Sequence, residues 1–252
     1  DLILRYNDLK TELIDKCGQA ATFKAMSENE FKILAPIPRP MQDVICLGVN
    51  YKDHIEETVD VLDFTKKKDA VYFSKRVNRA NDPDGVIPEY DTVDSLDYEV
   101  ELGVVLKKDA FRANVEEAAD CIFGYTIIND VSARNLQFKH QQWYFGKSLD
   151  GYTPMGPCIV TKDEIGDPHD LDITCFVNGE KRQESNTAFM ITTVEEAISE
   201  LSQAMTLQAG TVMATGTPGG VAMGMKPPVY LKKGDVIRCE IEGIGELINS
   251  VG

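Results

Sequence analysis

The sequence predicts an α+β protein with a β-rich core whose strands are mostly antiparallel or mixed. Three observations carry that expectation. Short strand-like runs outnumber helical ones and do not alternate with them regularly, which argues against doubly wound and TIM-type folds. Asn178-Gly179 between two alternating runs is the strongest short-range signal for a hairpin. Only a few helices announce themselves, two of them by capping boxes at Asn114 to Glu117 and Thr193 to Glu196.

Along the chain, Asn7 to Cys17 reads as a short helix, and 22–34 has no clear pattern. Pro36, Pro38 and Pro40 form a stiff connector. We therefore expect a small N-terminal domain over 1–40 and a main domain over 41–252. Val44 to Gly48 is a short apolar strand, after which Asn50 is placed to cap a helix with Asp53 three residues on. Ala70 to Lys75 is a further strand; Arg76 and Arg79 beyond it suit either an anion or a solvated loop. Tyr125 to Asn129 is a buried strand ending at Asp130, with Ser132 positioned to cap the next helix. Met155 to Val160, the hairpin from Leu171 to Ser185, and Val212 to Thr215 supply more strands. Val194, Ile198, Leu201 and Met205 share one helix face. Ile237, Cys239 and Ile241 alternate with Arg238, Glu240 and Glu242, and Gly243 to Gly245 turns the chain back into 247–251.

The chain has 252 residues and a formal net charge of −15, which argues against nucleic acid and anionic membrane surfaces as partners. Six cysteines without any C-x-x-C spacing read as buried thiols in a reducing compartment, so a cytoplasmic location is expected. A Cys/His zinc site is excluded by spacing and by the presence of only three histidines.

The run Asp97 to Leu106 is central. On a strand, Tyr98, Val100, Leu102, Val104 and Leu106 share an apolar face, and Glu99 and Glu101 share the other. Side-by-side carboxylates repel, so they are either solvated acids on a wet sheet face or ligands to a cation. Asp130, where an apolar strand stops, offers a third oxygen donor. Hard oxygen donors without Cys or His suit Mg²⁺ or Mn²⁺, and Ca²⁺ less specifically. His54 and Glu57 are i and i+3 on a helical turn, the arrangement by which a carboxylate orients an imidazole base; scattered surface charge is the alternative. Arg134 and Gln137 share a helix face, either toward a ligand or toward water. Lys147 follows the aromatic cluster Trp143, Tyr144 and Phe145, either as a desolvated anion ligand or as a snorkelling surface lysine. The glycine-rich loop Gly216 to Val221 permits close backbone approach to a ligand, and lacks the ending of a phosphate P-loop.

Five segments in this order resemble the fumarylacetoacetate hydrolase superfamily. They are Gly48-Val49-Asn50-Tyr51-Lys52-Asp53-His54-Ile55-Glu56-Glu57, Asp97-Tyr98-Glu99-Val100-Glu101-Leu102, Asn129-Asp130-Val131-Ser132-Ala133-Arg134-Asn135-Leu136-Gln137, Gly146-Lys147-Ser148, and Thr215 to Val221. The resemblance implies a mixed β-roll core, a homodimer, and a divalent metal held by Glu99, Glu101 and Asp130. It implies a catalytic His54–Glu57 dyad on a segment that closes over the substrate, with Lys147 assisting. Arg134, Gln137 and Thr217 would contact a 2-oxo acid. Acylpyruvate-type C–C hydrolysis, oxaloacetate decarboxylation or tautomerisation, and diene-dioate isomerisation or hydration all pass through one enolate, so the motifs leave them open. A non-catalytic 2-oxo-acid binding module and a purely structural metal site are the alternatives outside enzymology.

Overall fold

A computed structural model describes residues 2–18, 31–58 and 69–252. The helices are α1 (Leu2–Gly18), α2 (Lys52–Thr58), α3 (Val115–Cys121), α4 (Arg134–Lys139), α5 (Tyr144–Lys147), α6 (Lys162–Ile165) and α7 (Val194–Ser202). The strands of the first half are β1 (Val44–Gly48), β2 (Val71–Lys75), β3 (Val86–Ile87), β4 (Leu96–Asp97), β5 (Val100–Leu106), β6 (Ile122–Asn129) and β7 (Ser132–Ala133). The remainder are β8 (Met155–Thr161), β9 (Asp172–Val177), β10 (Glu180–Asn186), β11 (Val212–Ala214), β12 (Val236–Ile241) and β13 (Gly245–Val251).

The strands form a six-stranded sheet in the order β2-β1-β11-β5-β6-β8, a five-stranded sheet β10-β9-β12-β13-β3, and a short β4-β7 pair. Among the described strands, only β1–β11 and β13–β3 pair in parallel. The expected mixed, β-rich α+β fold is therefore the observed one. Asn178 and Gly179 take the hairpin at φ 53 and 80, the left-handed values that a two-residue primed turn needs. Both expected capping boxes form, at Asn114 and at Thr193.

The face of β5 predicted to be apolar is in the main core. Tyr98, Val100, Leu102, Val104 and Leu106 pack with Ile173, Cys175, Ile237 and Cys239 of the five-stranded sheet. Burying each large aliphatic side chain contributes about 1.5–3 kcal/mol. The opposite face is not wet. Val105 lies in a second buried cluster with Val44, Cys46, Phe123 and Ile128, against which Ile3 and Tyr6 of α1 pack. A sheet covered on both sides buries Glu99 and Glu101 away from bulk solvent, which removes the wet-face reading.

Several local expectations are corrected. Asn50 does not cap α2. Its amide donates to the carbonyls of Thr192 and Thr215 and its oxygen accepts from Thr192 N–H, stitching three segments together. Ser132 lies in β7, and its hydroxyl donates to the Asp130 carbonyl; Ala133 precedes α4 without a side-chain cap. Met205 lies beyond the end of α7 and is exposed. Arg79 pairs with Asp82 at 2.9 Å. Cys46, Cys121, Cys175 and Cys239 are buried free thiols, but Cys158 is exposed. The side chain of Cys17 and residues 22–30 of the unpatterned stretch lie outside the described residues. No described helix is long and apolar enough to cross a membrane.

Candidate active site

Two strand breaks at the same level build the site. The chain leaves the large sheet between β4 and β5, at Tyr98 and Glu99, and again between β6 and β7, at Asp130 and Val131. Asp130 N–H donates to the Glu99 carbonyl at 2.9 Å, and Glu99 N–H donates to the Asn129 side chain at 3.0 Å. The breaks are thus locked together, and Glu99 and Asp130 project from them beside Glu101. Carboxylate oxygens of Glu99, Glu101 and Asp130 lie within 4.8 Å of one another, and all three residues are buried.

Three buried cations face this cluster. Lys147 Nζ donates to Glu99 Oε2 at 2.6 Å and to Asp130 Oδ2 at 2.8 Å. Lys75 Nζ donates to Asp130 Oδ1 at 2.5 Å and to the Val131 carbonyl at 2.9 Å. Arg134 reaches Glu99 Oε1 through Nη2 at 2.7 Å and Asp97 Oδ2 through Nε at 2.9 Å. Burial alone would raise the Glu99 carboxyl, but Lys147 and Arg134 outweigh it and hold it down at about 2. Burial and the neighbouring Asp130 and Glu99 charges push the Glu101 carboxyl well above its usual range. Burial works against the Lys147 ammonium, yet Asp130 and Glu99 keep its pKa raised; for Lys75 burial prevails and the pKa falls.

Glu101 is the odd member. Its Oε2 accepts from Gly216 N–H at 2.8 Å, and no cationic side chain pairs with it among the described residues. Gly216 can approach only because it is glycine: φ is +94, and a Cβ would stand 2.6 Å from Asn50 Cβ. The four buried carboxyls of Asp97, Glu99, Glu101 and Asp130 thus outnumber the three buried cationic side chains of Lys75, Lys147 and Arg134, and Glu101 is the one left over. A divalent cation fits this donor set, since it supplies positive charge where the three hard oxygen ligands converge.

The expected pairing is present: His54 Nδ1 and Glu57 Oε1 are 2.7 Å apart, the contact by which a carboxylate orients an imidazole. Glu57 Oε2 accepts from Gly220 N–H at 2.7 Å. Asp97, the first residue of its motif, ties this region to Arg134: its oxygens accept from Ala222 N–H at 2.8 Å and Met223 N–H at 3.0 Å. Arg134 Nη1 also donates to Gln137 Oε1 at 3.0 Å.

His54, Glu99, Glu101, Arg134, Gln137, Lys147 and Thr217 line one small cavity of about 20 Å³. Glu57 joins it through His54, and Asp130 through Lys147. Two larger open depressions, of about 520 and 740 Å³, contain none of these residues. Thr217 lines the cavity, yet its hydroxyl donates to the Val100 carbonyl and accepts from Gln183, so its proton is committed to the scaffold. Sequence reasoning assigned no role to Lys75, Asp97 or Gln183. Lys75 carried one usable signal, a charge at the end of the apolar run Val71-Tyr72-Phe73.

Comparison with known proteins adds to this geometry. The family description "Fumarylacetoacetate (FAA) hydrolase C-terminal" matches residues 43–252. The oxaloacetate tautomerase YisK of Bacillus subtilis is 43% identical over 227 residues, covering 90% of this chain and 75% of that protein. Among solved structures, the fumarylacetoacetate hydrolase of the psychrophile Exiguobacterium antarcticum is 46% identical with a TM-score of 0.78, over 86% of this chain and 77% of that one. The fumarylpyruvate hydrolase of Pseudomonas aeruginosa, solved in complex with Mn²⁺ and pyruvate, is 27% identical with a TM-score of 0.72, over 84% and 90% of the two chains.

Proposed function

This chain belongs to the fumarylacetoacetate hydrolase family and is an enzyme of it, and from that premise we propose that it is a divalent-metal-dependent oxaloacetate tautomerase. The observation that carries the reading is the His54–Glu57 pair set against the Glu99, Glu101 and Asp130 cluster across a cavity of about 20 Å³. Enol–keto exchange needs one positioned base beside the metal-held acid and no leaving fragment, which this arrangement supplies.

Glu99, Glu101 and Asp130 would hold Mg²⁺ or Mn²⁺, which supplies Lewis acidity to the substrate oxygens and stabilises enolate charge. His54 Nε2 takes the proton from the carbon next to the oxo group, a proton is placed on the oxo oxygen to give the enol, and Glu57 holds the imidazole in the required tautomer; the reverse path returns the keto acid. Lys147 Nζ spends two donors on Glu99 and Asp130, and from its place in the cavity lining it stabilises charge on the oxo oxygen with the third. Arg134 and Gln137 form the anion-binding wall, with Arg134 held in place by Asp97. Thr217 acts through its placement in the glycine-rich loop.

Acylpyruvate hydrolysis is the second reading, favoured by likeness to the fumarylpyruvate hydrolase and by the room for one water beside His54. Residues 1–40 as an N-terminal unit, 41–252 as the catalytic domain, a homodimer and a cytoplasmic location belong to the same proposal. A substrate panel with Mg²⁺ tests it: enol absorbance follows oxaloacetate tautomerisation, and pyruvate release follows acylpyruvate cleavage. Faster acylpyruvate cleavage than oxaloacetate enol–keto exchange would replace the first reading with the second.

A further inference from the structure

The cavity has a charged side and an apolar side. The charged side is immobilised by buried ion pairs from Lys147 and Arg134, and α2 is tethered by Glu57 to Gly220. The apolar side includes Phe73, Trp143 and Met223. Trp143 immediately precedes α5 and is half-buried, so its indole both lines the cavity and reaches the surface. The indole lies directly on Gly48: a Cβ there would stand 2.4 Å from Cζ3 and 2.9 Å from Cη2. Phe73 meets it edge-on, with centroids 5.2 Å apart at 70°, and Lys147 Nζ stands 5.3 Å from the Phe73 centroid. The bare glycine therefore lets a bulky ring reach within one side chain of Lys147.

A cavity of about 20 Å³ cannot hold a 2-oxo acid beside its ligands. A bound acid's substituent must be accommodated along this lining, where Trp143 is the largest side chain, half-buried and seated on a glycine. We propose that Trp143 is the specificity-determining residue of this site. Its indole, seated on Gly48, limits the substituent a bound 2-oxo acid can carry, admitting compact acids and excluding those with bulky tails. This rests on the 2-oxo-acid reading of the site.

The test is calorimetric titration of the Mg²⁺-loaded protein with pyruvate and with 4-phenyl-2-oxobutanoate, for wild type, Trp143→Phe and Trp143→Ala. Wild type should prefer pyruvate by about a hundredfold, and Trp143→Ala should cut that preference at least about tenfold, with Trp143→Phe between them. Trp143 is the single tryptophan of the chain, so pyruvate binding should also change the protein's indole emission. An unchanged preference in Trp143→Ala, or wild-type affinity equal for both acids, overturns the proposal. If Trp143→Ala fails to fold, Trp143→Phe and the wild-type emission decide: pyruvate binding without an emission change overturns it. Failure of the tautomerase reading is seen separately, as pyruvate binding without oxaloacetate turnover. Binding of neither acid removes both.

Discussion

Glu101→Gln separates the metal account from a purely structural one, because the two forms of the protein should respond in opposite directions. Without metal, Glu101 is a buried carboxyl beside Glu99 and Asp130, with ligand oxygens within 4.8 Å and only the Gly216 N–H as donor. Two unit charges at that separation repel by about 3.5 kcal/mol at an effective dielectric of 20. Lys147, Lys75 and Arg134 already offset most of the charge on Glu99 and Asp130, so relief by a neutral amide should be about 1–2 kcal/mol. At about 2–4 °C per kcal/mol for a chain of this size, metal-free Glu101→Gln should melt a few degrees above wild type. With Mg²⁺ at a hundred times its dissociation constant, wild type should gain about 2.7 kcal/mol and the variant almost nothing. The pH dependence has a definite sign. A folded-state pKa raised above the unfolded value means the folded protein binds the proton more tightly. Metal-free wild type should therefore lose stability relative to Glu101→Gln as pH rises above the usual carboxylate range, up to the raised pKa. The assay is thermal and urea unfolding at several pH values, with Mg²⁺ or with chelator. A Glu101→Gln protein that keeps the full Mg²⁺ stabilisation, or that is less stable than wild type in chelator, would refute the reasoning.

Three further outcomes are expected. His54→Ala should lower kcat by about 10²–10⁴ while leaving Mg²⁺ affinity, read by calorimetry, unchanged. Lys75→Met strips one cation from Asp130 and should lower metal-free stability in urea by about 3–5 kcal/mol, since both partners are buried. Gly224→Ala would place a methyl 2.5 Å from Glu57 Oε2, so α2 and the dyad must shift; activity should fall by about 10² with Mg²⁺ affinity retained.

Much of this was legible in the sequence where local chemistry decides the outcome. The alternation of β5, the Asn178-Gly179 hairpin and both capping boxes depend on neighbours in the chain, and all form as expected. What covers the glutamate face was not legible. Val105 is buried by residues from β1, β6 and β11, and the cations on Glu99 and Asp130 come from positions 75, 134 and 147. Polar alternation reads the same whether the far side is water or an ion-paired interior. Asn50 shows the same limit: its cap-like spacing is local, but its actual partners, Thr192 and Thr215, are more than a hundred residues away. The roles of Lys75 and Asp97 exist only as pairings, so the charge of Lys75 at the end of an apolar run could flag the residue but not name its partner.

The central claim is that His54 moves a proton next to a metal-held 2-oxo acid. Its most direct test follows oxaloacetate enol–keto exchange by ultraviolet absorbance, in wild type with Mg²⁺, in wild type with chelator, and in His54→Ala with Mg²⁺. We expect acceleration only in the first. Equal acceleration in chelator, or in His54→Ala, would contradict the account.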